Sequence, residues 1–218
     1  MDQSVHYGIL GPLELRVNGR QLAVGGPRVQ AVLAVLVMQE GREIAAETLI
    51  DIVWGDNPPP TVRTSLQVHI SKIRSVLKGA GFPDALATNG SAYSLVVDRD
   101  QVDASAFRDL VEEGRELLAQ GSTERALEAF RQASAMWRGA PLAGLDLPGL
   151  APGSLRELED LRDLTLVLSC EAELALGQHA EALPNLLRLR AELPLDERIC
   201  ELSALALYRS GRQADALA

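Results

Sequence analysis

The feature that most constrains the fold of this chain is a change of pattern near residue 97. Before that point, short strand-like and helix-like segments alternate, whereas from Asp103 onward every periodic segment has the spacing of an amphipathic helix. A chain of 218 residues has room for one large or two small domains. The pattern therefore predicts two domains, residues 1–97 and residues 98–218, and we expect the second to continue beyond Ala218, which lies inside a helix-like segment.

The first half begins with short strands, continues with three helices and closes with a hairpin. Asn18-Gly19 and Asn89-Gly90 are strong hairpin signals. The segment Arg28–Gln39 is apolar on nearly all sides, so we expect this helix in the core. The strands are predicted at Val5–Leu10, Leu13–Val17 and Gln21–Val24, and the hairpin at Thr88–Val97. This order of elements predicts an α+β winged helix, in which the third helix enters a DNA groove and the hairpin flanks it.

The third predicted helix lies in a stretch without any carboxylate, between Asp56 and Asp84 of an otherwise acidic chain. Apolar residues recur along it at helical spacing and predict a buried stripe. The stripe consists of Val62, Leu66, Ile70, Ile73 and Leu77, which we expect to pack against Val32, Leu36, Leu49 and Trp54. The opposite face combines cations with short side chains, a mixture that can bind phosphates and read base edges in a major groove.

From this face and the hairpin we predict a set of DNA-contacting residues. The set is Arg63, Thr64, Gln67, Val68, His69, Ser71, Lys72, Arg74, Lys78, Thr88 and Asn89. By itself such a face is more often a solvated surface. The distribution of charge favours the DNA interpretation, because residues 1–97 carry 8 basic and 8 acidic residues whereas residues 98–218 carry 13 and 22, which accounts for the net charge of −9. Affinity for nucleic acid requires a contact face free of this excess acid.

The second half is predicted to be all-α and tetratricopeptide-like. The phrase G-x-x-x-x-A-L begins at Gly177 and again at Gly211, which are 34 residues apart, the period of tetratricopeptide repeats. A third copy begins at Gly121. Helices are predicted at Ala104–Gln120, Thr123–Trp137, Ser154–Gly177, His179–Glu192 and Asp196–Ser210. Stacked repeats of this kind offer a concave surface for a protein partner.

The sequence carries no motif for a catalytic, cofactor or metal site, so we expect no enzyme activity, no cofactor and no metal. There is no G-x-x-x-x-G-K-[ST], H-E-x-x-H or G-x-S-x-G, and the three histidines are scattered. Cys170 and Cys200 are far apart and are expected to be free thiols. No signal peptide and no apolar run long enough to span a bilayer is present, so we expect a cytoplasmic, nucleoid-associated protein and no membrane partner.

Several stretches of the sequence resemble the Streptomyces antibiotic regulatory protein family across essentially the whole chain. They resemble its opening strands, its second helix with the loop after it, its recognition helix and its bacterial transcriptional activation domain. The stretches are Tyr7-Gly-Ile-Leu-Gly-Pro-Leu13, Leu49-Ile-Asp-Ile-Val-Trp-Gly-Asp-Asn-Pro-Pro59, Leu66-Gln-Val-His-Ile-Ser-Lys-Ile-Arg74 and Ala206-Leu-Tyr-Arg-Ser-Gly-Arg-Gln-Ala-Asp-Ala-Leu217. The resemblance implies an OmpR-type winged helix followed by a helical activation domain.

The resemblance also implies an activator that binds direct repeats upstream of secondary-metabolite promoters as a homodimer and recruits RNA polymerase. The sigma, beta and alpha subunits are the implied partners. One implied contact is the loop before the third helix, formed by Gly55, Asp56, Asn57, Pro58, Pro59 and Pro60. The chain departs from the family in its predicted wing, because residues 88–95 contain no cation. The sequence leaves open a tetratricopeptide-type interaction protein or a ligand-sensing regulator that acts as a repressor.

Overall fold

A computed structural model describes residues 4–216, and the chain divides into two compact units. The first unit consists of Met1–Ala106 and Trp137–Arg156. The second consists of Phe107–Met136 and Glu157–Ala218. The first unit therefore includes the segment Trp137–Arg156, which comes much later in the sequence than the rest of that unit. The predicted boundary at residue 97 marks the change of sequence pattern instead.

The first unit opens with an antiparallel sheet of three short strands. These are β1 (Val5–Gly8), β2 (Glu14–Val17) and β3 (Arg20–Gln21), in the order β1-β2-β3. The predicted Asn18-Gly19 hairpin joins β2 to β3, with Val17 opposite Arg20. The prediction of a third strand at Gln21–Val24 was wrong, because β3 ends at Gln21.

The first strand also ends earlier than its predicted end at Leu10. Ile9 and Leu10 donate their backbone N–H groups to the carboxylate of Asp103, at 2.7 and 3.0 Å. Their N–H groups are therefore satisfied by a side chain rather than by a neighbouring strand. Asp103 itself is only 2% exposed.

Three helices follow: α1 (Pro27–Met38), α2 (Ala46–Trp54) and α3 (Val62–Gly79). Helix α1 forms the centre of this unit, as predicted from its apolar sequence, because eight of its residues are buried. The stripe of α3 is buried at its four inner positions, which are Leu66, Ile70, Ile73 and Leu77. The expectation of burial was wrong for Val62, which is half-buried, as is its predicted packing partner Trp54.

A second antiparallel sheet completes the winged helix. It has the order β4-β6-β5 and consists of β4 (Ile44–Ala45), β5 (Leu86–Asn89) and β6 (Ala92–Leu95). Strands β5 and β6 form the wing, with Asn89 opposite Ala92. The hairpin begins two residues before its predicted start at Thr88, since Leu86 pairs with Leu95. The predicted winged helix is thereby confirmed.

The segment Trp137–Arg156, which we call the strap, has no regular secondary structure up to Leu155 and packs on the winged helix. The backbone N–H groups of Arg138 and Leu142 donate to the carbonyl oxygens of Leu10 and Ile9. At its other end, Gly149 donates to the carbonyl oxygen of Ile52 at 3.1 Å. Only glycine fits there, because a Cβ atom would lie 1.9 Å from the carbonyl oxygen of Asp51.

The second unit contains only helices, as predicted. They are α4 (Asp103–Ala119), which begins in the first unit, α5 (Thr123–Ala135), α6 (Arg156–Ala175), α7 (His179–Glu192), α8 (Glu197–Arg209) and α9 (Gln213–Ala216). Buried aliphatic side chains and Cys170 join α6, α7 and α8 in one core. None of the helices in the described part of the chain is long and apolar enough to cross a membrane.

Candidate nucleic-acid interface

The solvent-facing side of α3 carries most of the residues predicted to bind DNA. We call its exposed residues Thr64, Gln67, Val68, Ser71 and Lys72 the reading face. They follow one another at helical spacing, on the side opposite the buried stripe. Lys78 is also exposed, in the last turn of the helix. The reading face contains no carboxylate, so α3 itself does not repel a phosphate backbone.

Val68 is the unusual member of the reading face. Its side chain is 58% exposed, in a row of polar residues on a helix whose apolar stripe is buried at four of its five positions. A single exposed apolar side chain is common on protein surfaces. In a major groove, however, an apolar side chain can contact the C5-methyl group of thymine. The row therefore combines hydrogen-bonding side chains, one cation and one apolar contact, which together can distinguish base pairs.

Lys72 extends from α3 across the turn that precedes α1. A Cβ atom on Gly25 would lie 3.0 Å from its Nζ atom, so the glycine makes room for the lysine side chain. Arg28, in the first turn of α1, donates a hydrogen bond to the carbonyl oxygen of Val53 and pairs with Asp146 at 3.5 Å. The sequence alone did not indicate a role for Arg28, because a single cation in an otherwise apolar helix forms no recognisable motif.

His69 does not lie on the reading face. Its ring stacks on that of Trp54, with 5.9 Å between the ring centroids and 5° between the planes. Burial lowers the pKa of His69 below its ordinary value, and the positive charges of Lys72 and Arg28 lower it further. The stacked imidazole and indole rings join α3 to the end of α2.

Arg63 pairs with Glu47 at 2.7 Å, and both side chains are more than half exposed. Exposed ion pairs contribute little to stability, at most about 1 kcal/mol. The guanidinium group can therefore exchange the carboxylate for a DNA phosphate at small cost. Arg63 thus remains a candidate for phosphate binding at the N-terminal end of α3.

The predicted DNA contacts at the wing have their side chains engaged within the protein. Arg74 is half-buried and donates from Nε to the carbonyl oxygen of Leu86 at 3.1 Å and from its terminal nitrogen to the hydroxyl group of Thr88. Asn89 donates from its amide nitrogen to the carboxylate of Glu43 at 3.0 Å. These bonds hold the first strand of the wing against α3 and against the segment before β4.

The loop between α2 and α3 is exposed from Asp56 to Pro60, whereas Gly55 is half-buried. Its ends are fixed by two backbone hydrogen bonds, from Gly55 to Asp51 at 2.8 Å and from Val62 to Pro59 at 2.9 Å. Three consecutive prolines restrict the backbone between these bonds. The loop is therefore a stiff, exposed segment beside the reading face. Within residues 4–216, no group of histidine, cysteine or carboxylate side chains is arranged to hold a metal ion.

Two family models match the chain, one on each side of the change of sequence pattern near residue 97. Residues 21–92 match the C-terminal domain of transcriptional regulatory proteins. Residues 102–218 match the bacterial transcriptional activator domain, which covers more than half of the chain. The first match includes α3 and the first strand of the wing and ends at the first residue of β6, and the second match includes every helix of the second unit.

Known regulators and one solved structure are similar to nearly the whole of this chain, although the chain covers different shares of each of them. The regulatory protein AfsR of Streptomyces coelicolor is 35% identical over 99% of the chain, which spans 21% of that protein. The regulatory protein DnrI of Streptomyces peucetius is 34% identical over 98% of the chain, which spans 81% of that protein. EmbR of Mycobacterium tuberculosis, solved in complex with a low-affinity phosphopeptide, superposes with a TM-score of 0.91 at 32% identity, over 99% of this chain and 57% of that one.

The chain spans about a fifth of AfsR but most of DnrI, so it contains the part that these proteins share. That shared part is a winged helix followed by an activation domain, which is the arrangement that the structure shows. The chain belongs to the Streptomyces antibiotic regulatory protein family of transcription regulators.

Proposed function

We propose that this protein is a sequence-specific DNA-binding activator of secondary-metabolite genes, which binds direct repeats upstream of promoters and recruits RNA polymerase. The observation that carries the proposal is the reading face of α3. Its five exposed residues offer hydrogen-bonding groups, an apolar contact and a cation on one side of a helix that the winged-helix fold presents to a major groove.

The division of charge supports this assignment. The acid-free stretch between Asp56 and Asp84 contains the reading face and Lys78, whereas the excess of acid lies in residues 98–218. An exposed acidic surface repels phosphate. We therefore assign DNA binding to the first unit, and we assign to the acidic second unit a contact with a protein partner rather than with DNA.

Binding can be tested without knowledge of the target promoter. The wild-type protein selects duplexes from a random-sequence pool, and the selected duplex is then used in gel-shift titrations at several salt concentrations. We expect Gln67→Ala to cost ~1–3 kcal/mol on the selected duplex and to relax one base position. Lys72→Ala should lower the slope of log affinity against log salt by about one.

A matched control is available in the second unit. Arg209→Ala removes an exposed cation from α8, outside the proposed interface, and should leave both affinity and salt slope unchanged. Equal affinity of wild type, Gln67→Ala and Lys72→Ala would contradict the assignment of the reading face. Failure to select any sequence would contradict specific DNA binding altogether.

We further propose that two copies bind tandem half-sites. Half-sites about one helical turn apart, roughly 10 base pairs, place both recognition helices on the same side of the duplex. Direct repeats require head-to-tail protomers, whose heterologous contact does not close a ring. Footprinting at saturating protein should show two protected half-sites, and a single protected half-site would refute the arrangement.

The proposed contact with RNA polymerase involves the loop Gly55–Pro60 and the acidic helical unit, with sigma, beta and alpha subunits as partners. The loop is exposed and stiff beside the reading face, which suits a contact made while the protein is on DNA. In transcription with purified polymerase, Asp56→Ala should reduce transcript without reducing promoter affinity. A parallel loss of both would mean that the loop supports DNA binding, and absence of stimulation by wild type would favour a repressor.

A further inference from the structure

The wing of this protein has no positively charged side chain with which to bind DNA phosphates. Residues 88–95 contain no lysine or arginine, so the wing can release no counterions from the phosphate backbone. Any contribution from the wing must come from hydrogen bonds and close packing, which depend on its position. The structure therefore raises the question of what fixes the wing relative to α3.

Arg74 makes the side-chain hydrogen bonds from α3 to the wing, beside the strand pairing and the buried Leu86 and Leu95 that anchor its base. Its guanidinium group binds two acceptors on β5, the carbonyl oxygen of Leu86 and the hydroxyl group of Thr88, two residues further along the strand. The fork of the guanidinium group is planar, so binding two acceptors defines both distance and orientation. Leu86 is buried and Thr88 is exposed, so the contact extends from the base of the wing toward its tip.

We propose that Arg74 is a positioning residue, which contributes to DNA binding by holding the wing against the recognition helix rather than by its own contact with phosphate or guanine. The inference rests on the proposed DNA binding of the first unit. It gives Arg74 a different role from Lys72, although both are cations of the same helix. Lys72 is exposed on the reading face, whereas Arg74 is half-buried and turned toward β5.

Thr88 acts with Arg74 in this arrangement. Its hydroxyl group accepts from the guanidinium group, so its own role is to receive a bond from within the protein. Asn89 makes an equivalent bond to Glu43 on the other side of the wing. The tip residues Gly90 and Ser91, which follow these two anchors, are exposed and can approach a DNA backbone.

Arg74→Lys separates the two roles, because it keeps the charge but cannot bind both acceptors at once. A phosphate contact tolerates this change, whereas a positioning contact does not. We expect Arg74→Lys and Arg74→Ala to weaken binding of the selected duplex by a similar factor, roughly tenfold, which corresponds to one lost charged hydrogen bond. We expect the salt slope to stay at its wild-type value in both variants.

Thr88→Val provides the second half of the test, since it keeps the shape of the side chain and removes the acceptor. It should weaken binding in the wild-type background and have little further effect in Arg74→Ala, because both changes break the same contact. Wild-type affinity of Arg74→Lys would overturn the proposal. A salt slope lowered by about one in Arg74→Ala, with losses that add to those of Thr88→Val, would overturn it too.

The proposal also makes a claim about the protein without DNA. Amide hydrogens of β5 and β6 should exchange faster in Arg74→Lys and in Thr88→Val than in wild type, while those of α1 keep their protection. This measurement separates failure of the present inference from failure of the proposed function. Unchanged exchange in the wing would refute the positioning role even if the protein binds DNA. Faster exchange together with a wild type that selects no sequence would show that Arg74 holds the wing and that the proposed function, not this contact, is wrong.

Discussion

Replacement of Asp103 by alanine should destabilise the protein more than any other single change of a carboxylate described above. The side chain of Asp103 is 3% exposed and accepts three hydrogen bonds. Two come from the buried backbone N–H groups of Ile9 and Leu10, and the third comes from Arg138 in the strap at 2.8 Å. The one carboxylate therefore joins the end of β1, the start of α4 and the strap.

The expected loss of stability follows from the groups that Asp103→Ala leaves without a hydrogen-bond partner. Each buried N–H group that loses its acceptor costs about 1–3 kcal/mol, and removal of one partner from a buried ion pair costs about 3–5 kcal/mol. These costs overlap, because they describe the same carboxylate. Arg138 is partly hydrated and also pairs with Glu14 at 3.2 Å, so its charge is not left unpaired. We therefore expect a total loss of about 3–5 kcal/mol.

The measurement is the free energy of unfolding in urea, followed by circular dichroism at neutral pH. Asp100→Ala serves as the matched control, because Asp100 is exposed three residues earlier and should change the free energy of unfolding by no more than about 0.5 kcal/mol. Asp103→Asn should lie between the two, since its carbonyl oxygen can still accept one of the two backbone bonds. A difference of less than about 1 kcal/mol between Asp103→Ala and Asp100→Ala would refute the reasoning.

Three further predictions test the core, the stacked histidine and the thiols. Leu66→Ala should lower the free energy of unfolding by roughly 2–5 kcal/mol through a cavity, whereas Val68→Ala on the exposed face of α3 should have almost no effect. The pKa of His69 is lower in the folded protein than in the unfolded chain, so the unfolded chain binds a proton at higher pH. As the pH falls below about 6.5, the wild type should therefore lose stability relative to His69→Phe, which the urea midpoint measures. Burial raises the pKa of Cys170 to about 12, so a thiol reagent should label Cys200 in the native protein and Cys170 only after unfolding.

Periodicity was sufficient to predict the parts of the fold that bury a continuous apolar face. Helix α1 is apolar on most sides, and the stripe of α3 recurs at helical spacing, so both could be placed in the core before the structure was known. The Asn-Gly pairs predicted both hairpins because two-residue turns need residues that tolerate a left-handed backbone. The reading face followed from the same helical spacing, as the side of α3 opposite its stripe.

Contacts between distant residues could not be predicted in this way. The strap is rich in glycine and proline and has no periodicity, so nothing in its own sequence indicates that Gly149 lies against the backbone of α2. Similarly, Asp103 reads as the first acidic residue of a helix, although its main role is to accept bonds from Ile9 and Leu10. The hydrogen bonds from Arg74 to β5 could be predicted only if the position of the wing were already known. From the sequence alone, Arg74 was predicted to contact DNA because it is a cation on the third helix.

The winged helix of this protein is consequently completed by residues that follow the wing in the sequence. Asp103 satisfies the N–H groups that end β1, and Gly149 lies against the end of α2, immediately before the loop proposed to contact polymerase. A fragment that ends at residue 97 contains the whole reading face and the whole wing but lacks both of these supports. Its DNA affinity would then reflect the loss of the Asp103 carboxylate and of the strap as well as the loss of the helical unit. The contribution of the helical unit to DNA binding is therefore better measured by substitutions within the intact chain than by truncation.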